Sequence, residues 1–423
     1  MRYLPQLSLV ISSFFTSYTA LASDFSLPFV NSSSLGVAYA DWATALNDAS
    51  TAYTNPAGLV HIPRQVTFNA LGITGTTQFT GTATTPPYPF PLTVVQSGKA
   101  RSQINAFMPS FYYNHPVLPK VSLGLHLNSP FGLGTNYKSY SGVITRYAAT
   151  RSEVLAIDVG PSIGAQVTER LSLGGGLSAV HLAFTLNNMY GPPLSLPTDS
   201  RLNNHLNGWG FGWSLGGLYQ LFSTTRIGVS FNSLVAIETK GHSTLYQPFG
   251  ISYRTNKQQT NASLPARLQL SAQQQLGDRW TAMATAFYTN WRTFKEITMR
   301  NTLIPGGNLV AVTIPFNYHN CFDYSLGLTY QATDLWLLRS GIQFLNTPSN
   351  DRDRGIADPI GSATILTLGA RFNAAENVSY DLGVGHSFFR EMPINFSNQL
   401  TALKGHTNTQ TTVIGGQINW SFS

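Results

Sequence analysis

The chain has 423 residues, of which 43% are hydrophobic, 12% aromatic and only 10% charged, whereas a soluble domain carries about 25% charged residues. Past the first two dozen residues no stretch approaches eighteen uncharged apolar positions, which excludes a bundle of membrane-spanning helices and leaves strands as the way across a bilayer. The net charge of +7 is scattered and not interleaved with aromatic platforms, which excludes a nucleic-acid interface.

The first residues read as a secretion signal. Arg2 gives the positive start, Leu7 to Phe15 the short apolar run, and Ala20-Leu21-Ala22 the small-residue cleavage pattern, so residues 1–22 form a signal peptide and the mature chain starts at Ser23. Next comes Asp48-Ala-Ser-Thr-Ala-Tyr-Thr-Asn-Pro-Ala-Gly58. Asn55 is a good N-cap, and Pro56 falls at the first helical position, where its missing N–H costs nothing. A short helix here, ahead of any strand, has no place in a plain porin. Cys321 is the single cysteine of an exported chain, so no internal disulfide holds the fold.

From residue 64 to 423 the pattern is alternation with a period of two. Trp209, Phe211, Trp213, Leu215, Gly217, Tyr219 and Leu221 share one face, as do Leu171, Leu173, Gly175, Leu177 and Ala179. Tyr324 to Tyr330, Trp336 to Phe344 and Val378 to Phe388 repeat the pattern, with aromatics toward the ends of the runs, where a membrane-interface girdle needs them. Short connections, such as Thr168-Glu169-Arg170, Ser223-Thr224 and Gly277-Asp278-Arg279, alternate with long ones near 132–150, 188–206, 240–263, 297–317, 347–361 and 391–408. Tight periplasmic turns facing extended external loops are the outer-membrane arrangement.

The runs predict an all-β chain: a fourteen-stranded antiparallel transmembrane β-barrel. The expected spans are about 64–78, 100–113, 119–130, 151–166, 171–187, 206–221, 225–239, 264–276, 280–296, 318–331, 335–347, 361–373, 376–391 and 408–422. Ile414, Gly416, Ile418, Trp420 and Phe422 alternate to the end, and penultimate Phe422 resembles the terminal aromatic signal read by the barrel assembly machinery.

Several stretches, in order, carry a resemblance. They are Ser32-Ser33-Ser34-Leu35-Gly36-Val37-Ala38, then Asp48-Ala49 and Asn55-Pro56-Ala57, then Gly208-Trp209-Gly210-Phe211-Gly212-Trp213, Leu264-Pro265-Ala266 and Tyr288-Thr289-Asn290-Trp291. Together they resemble the FadL family of outer-membrane long-chain fatty acid transporters, which also includes channels for monoaromatic hydrocarbons. The resemblance implies that residues 23–63 form a small helical hatch inside the barrel lumen, with Asn55, Pro56 and Ala57 as its motif. It implies capture of a hydrophobic ligand at the external loops, where Tyr190, Leu194 and Leu196 offer an apolar groove. It implies lateral release through a gap at a kink in the third strand, where Gly124, Ser129, Pro130, Phe131 and Gly132 stand. Proline cannot donate to a ladder and glycine favours a bulge, although Pro130 is equally readable as the strand's end at the external rim. Family members place basic side chains near a bound carboxylate. Here Ala183 occupies one such place, leaving His181 and His319 as polar headgroup contacts.

The chain is thus expected to act in the outer membrane of a Gram-negative bacterium as a monomeric transporter of fatty acids or similar compounds, among outer-membrane lipid and lipopolysaccharide. A passive porin and an outer-membrane hydrolase are the alternatives from other classes. No spacing marks a nucleophile, a metal cluster or a phosphate-cradling loop, so no enzyme, cofactor or metal is expected.

Overall fold

The computed structural model describes residues 29–85, 93–137, 143–191, 199–359 and 361–422. The signal sequence and two of the groove residues, Leu194 and Leu196, lie outside the described residues. Fourteen strands are laid down in chain order: β1 Gln65–Thr85, β2 Val94–Leu118, β3 Val121–Asn136, β4 Arg151–Gln166, β5 Leu171–Tyr190 and β6 Ser200–Phe222. Then follow β7 in two segments, Thr225–Asn232 and Val235–Tyr246; β8, Ser252–Leu264 and Arg267–Leu276; β9, Trp280–Thr289 and Glu296–Leu303; and β10, Leu309–Pro315 and Cys321–Gln331. The wall ends with β11 Trp336–Leu345, β12 Ala363–Ala375, β13 in segments Val378–Phe389 and Met392–Ser397, and β14 Ala402–Ser421. Each strand pairs antiparallel with the next, and Gln65 of β1 lies opposite both Asn114 of β2 and Ser421 of β14, which closes the barrel. Closure removes the sheet edges that an open sheet would present to lipid, save for a stretch between β2 and β3 described below.

Alternation sorts the side chains. Trp209, Phe211, Trp213, Leu215, Leu173, Leu177, Leu326 and Leu382 are exposed on the outside, while Ser172, Ser214, Ser230, Ser271, Thr285, Ser325, Thr367 and Gln417 are buried within. An apolar skin around a polar interior is what a membrane barrel requires. The strands reach further outward than expected. β7 and β8 run to Tyr246 and from Ser252, so most of 240–263 is strand rather than loop; the same holds for 297–317, 391–408 and the ends of 188–206. Above the lipid both faces are wet or polar, so the ladder continues where the hydrophobic alternation has stopped.

Residues 29–63 fill the lumen before the chain enters the wall at Gln65. Helix α1, Ser32–Leu35, starts where the Asn31 side chain accepts from Ser34 N at 2.9 Å. Helix α2, Thr51–Thr54, leads into a 3₁₀ turn over Pro56–His61, so the helix expected at Pro56 is of the tighter kind. Trp42 packs edge-on against Tyr53 and Phe287, within a cluster that also holds Phe29, Tyr39, Ile104, Met108 and Tyr112.

Candidate functional site

The hatch is seated by its Asn-Pro-Ala turn. Asn55 caps that turn by accepting from Ala57 N at 3.2 Å, and its Nδ2 donates to Ala43 O at 2.7 Å and to Gly217 O of the wall at 3.1 Å. The wall opposite is bare. Gly164, Gly174 and Gly216 stand in one row across β4, β5 and β6, and a methyl group on any of them would collide with Pro56, Ala57 or the Asn55 side chain. Glycine lets the two backbones approach this closely.

On the opposite side the hatch is held by charge. Arg371 of β12 donates from Nε and Nη2 to the two Asp381 oxygens at 2.9 Å each, and from Nη1 to Asn47 O at 3.2 Å. Its Nη2 also lies 3.6 Å from Asp48, which accepts from Gln417 Nε2 at 2.8 Å. Nearby Asp41 is buried, and burial raises its carboxyl from 3.8 to about 6, against the opposing pull of Ser34 and Arg339.

The wall breaks at β3. Asn128 faces Asp158 of β4, yet Phe131 faces Ala156, so Ser129 and Pro130 together oppose one residue and form a bulge. The strand continues to Asn136, so Pro130 lies within it and does not end it at the rim. On the other side of β3, the ladder to β2 runs from Leu118–Val121 up to Phe111–Leu127 and stops. The strands meet again where Asn136 N donates to Ser102 Oγ at 2.7 Å. Between these points, among the described residues, no register pair joins β2 to β3. Ala106 alternates with the inward set Ile104 and Met108 and yet is exposed.

Inside the bulge lies a cavity lined by Pro130, Phe131, Tyr53, Val180, Trp213, Val235, Leu264, Asp158 and Arg267. Its volume is about 30 Å³, room for little more than a water molecule. Arg267 is buried, donates from Nη2 to Tyr53 OH at 2.7 Å, and stands 5.2 Å from the Phe131 ring centre and 5.9 Å from that of Trp42. Burial pushes the Tyr53 hydroxyl up to about 12, with Arg267 pulling the other way, so Tyr53 keeps its proton. Asp158 accepts from Ser178 Oγ at 3.2 Å and lies 3.2 Å from His126 Nε2. The pocket thus offers an apolar wall, one guanidinium and one carboxylate.

The expected residues divide. Asn55, Pro56 and Ala57 sit at the hatch–wall seat; Ser129 and Pro130 form the bulge; Phe131 lines the cavity. Gly132 pairs regularly with Leu155 just above the bulge. Gly124 belongs elsewhere: it pairs regularly with Asn114 and Ser162, and its bare face makes room for Ala52 and Leu59 of the hatch. Tyr190 packs on Leu202, Leu245 and Leu303 at the outer end of β5. His181 is on the outer face, its ring 5.0 Å from Trp209, and so is turned away from the lumen. His319 lies between the segments of β10, its N–H bonded to Pro348 O at 3.0 Å, and does not line the cavity. Arg267 is not among the residues expected from the resemblance, although Arg267, Gln269 and Ser271 alternate with Leu268 and Leu270 and so mark an inward arginine.

Known proteins resemble this chain in sequence and in fold. The profile of the family described as "Outer membrane protein transport protein (OMPP1/FadL/TodX)" matches residues 13–422. Outer membrane protein P1 of Haemophilus influenzae is 27% identical over 419 residues, covering 90% of this chain and 89% of that protein. A long-chain fatty acid transport protein of Salmonella typhi is 25% identical, covering 92% of each. Among solved structures, a Pseudomonas aeruginosa FadL homologue superposes with a TM-score of 0.82 at 20% identity, covering 95% of this chain and all of that one. The Pseudomonas putida toluene transporter TodX gives 0.67 at 15% identity, covering 90% and 95%. The relatives are outer-membrane proteins of Gram-negative bacteria, and the barrel belongs in that membrane. The chain is therefore a member of the OMPP1/FadL/TodX family of outer-membrane transport proteins.

Proposed function

We propose that the chain carries long-chain fatty acids inward across the outer membrane, taking them from the external loops into the pocket at Phe131 and releasing them sideways between β2 and β3. The observation that carries this reading is the interrupted β2–β3 ladder beside the Ser129–Pro130 bulge, with Pro130 and the adjacent Phe131 lining the pocket on the lumen side. A lumen filled by residues 29–63 favours a lateral exit over an axial one. Burying a tail is worth about 0.8 kcal/mol per CH₂, so a solute that leaves directly into the bilayer never returns its tail to water. The cavity of about 30 Å³ is too small for such a solute, and entry requires Phe131 or the hatch to shift.

Arg267 favours an acidic amphiphile over a neutral arene, because a buried guanidinium beside an apolar wall suits a carboxylate head. The names of the relatives cover both chemistries: fatty acid transport in the Salmonella protein and toluene in TodX. Mass spectrometry of small molecules co-purifying in non-ionic detergent tests the choice. Bound fatty acid, lost on Arg267→Gln while a fatty acid methyl ester still binds, supports the reading. A bound arene, unaffected by Arg267→Gln, would transfer it to the hydrocarbon channels.

A further inference from the structure

The external mouth of the barrel is covered from within. Two connections turn inward there: residues 143–150, ahead of β4, and residues 349–357, ahead of β12. Ile144 and Ala149 of the first and Ile356 of the second share one buried apolar cluster with Phe79 of β1, Ala100 of β2 and Leu403 of β14. Those wall residues are inward positions toward the external ends of their strands, since the short turns at 119–120, 223–224 and 277–279 lie at the opposite end. Both connections are tied to the outer end of β3. Thr135 Oγ1 donates to Ala357 O, and Tyr137 OH to Ile356 O, each at 3.0 Å. Tyr137 N donates to Thr150 O at 3.0 Å, which brings the two ends of the first connection together at its base.

One arginine holds the first connection down. The side chains of Arg146 and Asp199 are both 0% exposed, and Arg146 Nε donates to Asp199 Oδ2 at 3.0 Å. Its Nη1 donates to Gln96 Oε1 at 3.2 Å and its Nη2 to Tyr147 OH at 3.1 Å; Tyr147 in turn donates to Asp199 Oδ1 at 2.9 Å. Gln96 belongs to β2 and Asp199 directly precedes β6, so one guanidinium ties the connection to two parts of the wall separated by three strands. A buried ion pair adds little net stability while intact, because desolvation offsets the attraction, yet removing one partner strands an unpaired charge. When the connection lifts, both charges regain water, so the closed position is favoured only modestly over an open one. Lids are drawn from such weakly held segments. With residues 29–63 filling the lumen below, the barrel is shut from both directions. We propose that residues 143–150 are a lid over the external mouth, latched by Arg146 on Asp199, and that cargo enters the lumen only when this lid lifts from Phe79 and Ala100. Lifting it uncovers an apolar ring that a greasy solute can cover in the lid's place. The closure holds whichever cargo is carried; its role as a gate rests on the transport reading above.

The test uses the full chain in whole cells, with Cys321→Ser throughout, and has two arms. Thr409 faces the lumen deeper along β14 than Leu403. In Thr409→Cys, a bulky membrane-impermeant maleimide added outside should react slowly. Adding Arg146→Gln or Asp199→Asn should speed the reaction at least tenfold, and Tyr147→Phe, which leaves the ion pair in place, should speed it less. Equal rates with and without the latch would overturn the latch. The second arm locks the lid. A Cβ on Gly98 of β2 would lie 3.4 Å from Ile144 Cγ2, so Gly98→Cys/Ile144→Cys can be joined across that contact. Oxidation should stop uptake of labelled fatty acid and reduction should restore it, with hydrogen exchange in hatch residues 43–58 unchanged. Parental uptake by the fully cross-linked protein would overturn the gate and show that cargo enters by another path. A parent that takes up no fatty acid in either state would defeat the transport reading instead, while the labelling arm still decides the latch.

Discussion

Replacing Asn55 with alanine removes three hydrogen bonds at one buried position. The cap on Ala57 N is worth about 1 kcal/mol. Each lost Nδ2 donation, to Ala43 O and to Gly217 O, adds about 1 kcal/mol, because the acceptors stay buried when the donor goes. The sum is about 3 kcal/mol of hatch docking, roughly a hundredfold rise in the undocked fraction. The barrel itself keeps its ladder, so the effect is confined to the lumen. Hydrogen exchange in residues 43–58 reads it directly: these amides exchange much faster in Asn55→Ala while the wall strands are unchanged. Asn55→Asp separates the two roles, since it keeps the cap acceptor but turns a carboxylate oxygen toward two carbonyls. It loosens the hatch at least as much as alanine does. Parental exchange rates in both variants would refute the idea that Asn55 seats the hatch, and a neutral Asn55→Asp would reduce its role to the cap alone.

Other consequences follow from the same contacts. Gly174→Ala drives a methyl group into the Pro56–Ala57 backbone and displaces the turn, so ion conductance in planar bilayers rises above that of the parent; parental conductance would show that the wall can yield. Asp41 has a folded value of about 6 against 3.8 unfolded, so the docked hatch holds the extra proton between these values. Docking is firmest below about pH 4, weakens as pH rises through 6 and then levels off, by a few kcal/mol at most; hydrogen exchange at pH 4 and pH 8 measures the trend, and Asp41→Asn flattens it. Deleting Pro130 removes the one extra residue of β3 and restores even register with β4, so labelled fatty acid uptake falls at least tenfold while the fold survives; undiminished uptake would separate the bulge from transport.

Much of the architecture was legible because lipid imposes it. Every outward run from Leu171 to Phe388 had to be apolar at every second position, and that period gave the strand number and the short turns. The outer halves of β7 to β10 were not legible, because above the bilayer neither face is forced to be apolar and a run such as Arg254 to Asn261 reads as loop. The breaks at Ser233-Leu234 and Pro265-Ala266, each a two-residue interruption of an otherwise continuous strand, carry a proline signal only at the second. The Asn-Pro-Ala turn stood out because its cap chemistry is local. Its seat did not, since Gly164, Gly174 and Gly216 meet only through the register of three strands. The same limit hid Arg267: its inward parity is plain in Arg267-Leu-Gln-Leu-Ser271, but its meeting with Tyr53 and Phe131 brings together residues more than 130 positions apart. His181 shows the reverse error, a residue assigned by resemblance when the parity of Leu177 and Ala179 already placed it outside.

The central claim is that cargo leaves through the wall between β2 and β3, and a reversible bond across that opening tests it most directly. Pro109 of β2 and Ser129 of β3 are the next outward-facing positions beyond the Phe111–Leu127 pair, and native Cys321, buried in the cluster that holds Phe131, is replaced by serine in the parent used for comparison. In Pro109→Cys/Ser129→Cys, the oxidised protein should take up labelled fatty acid at a small fraction of the parental rate and recover on reduction, with conductance low throughout. Uptake at the parental rate by the fully cross-linked protein would contradict lateral release.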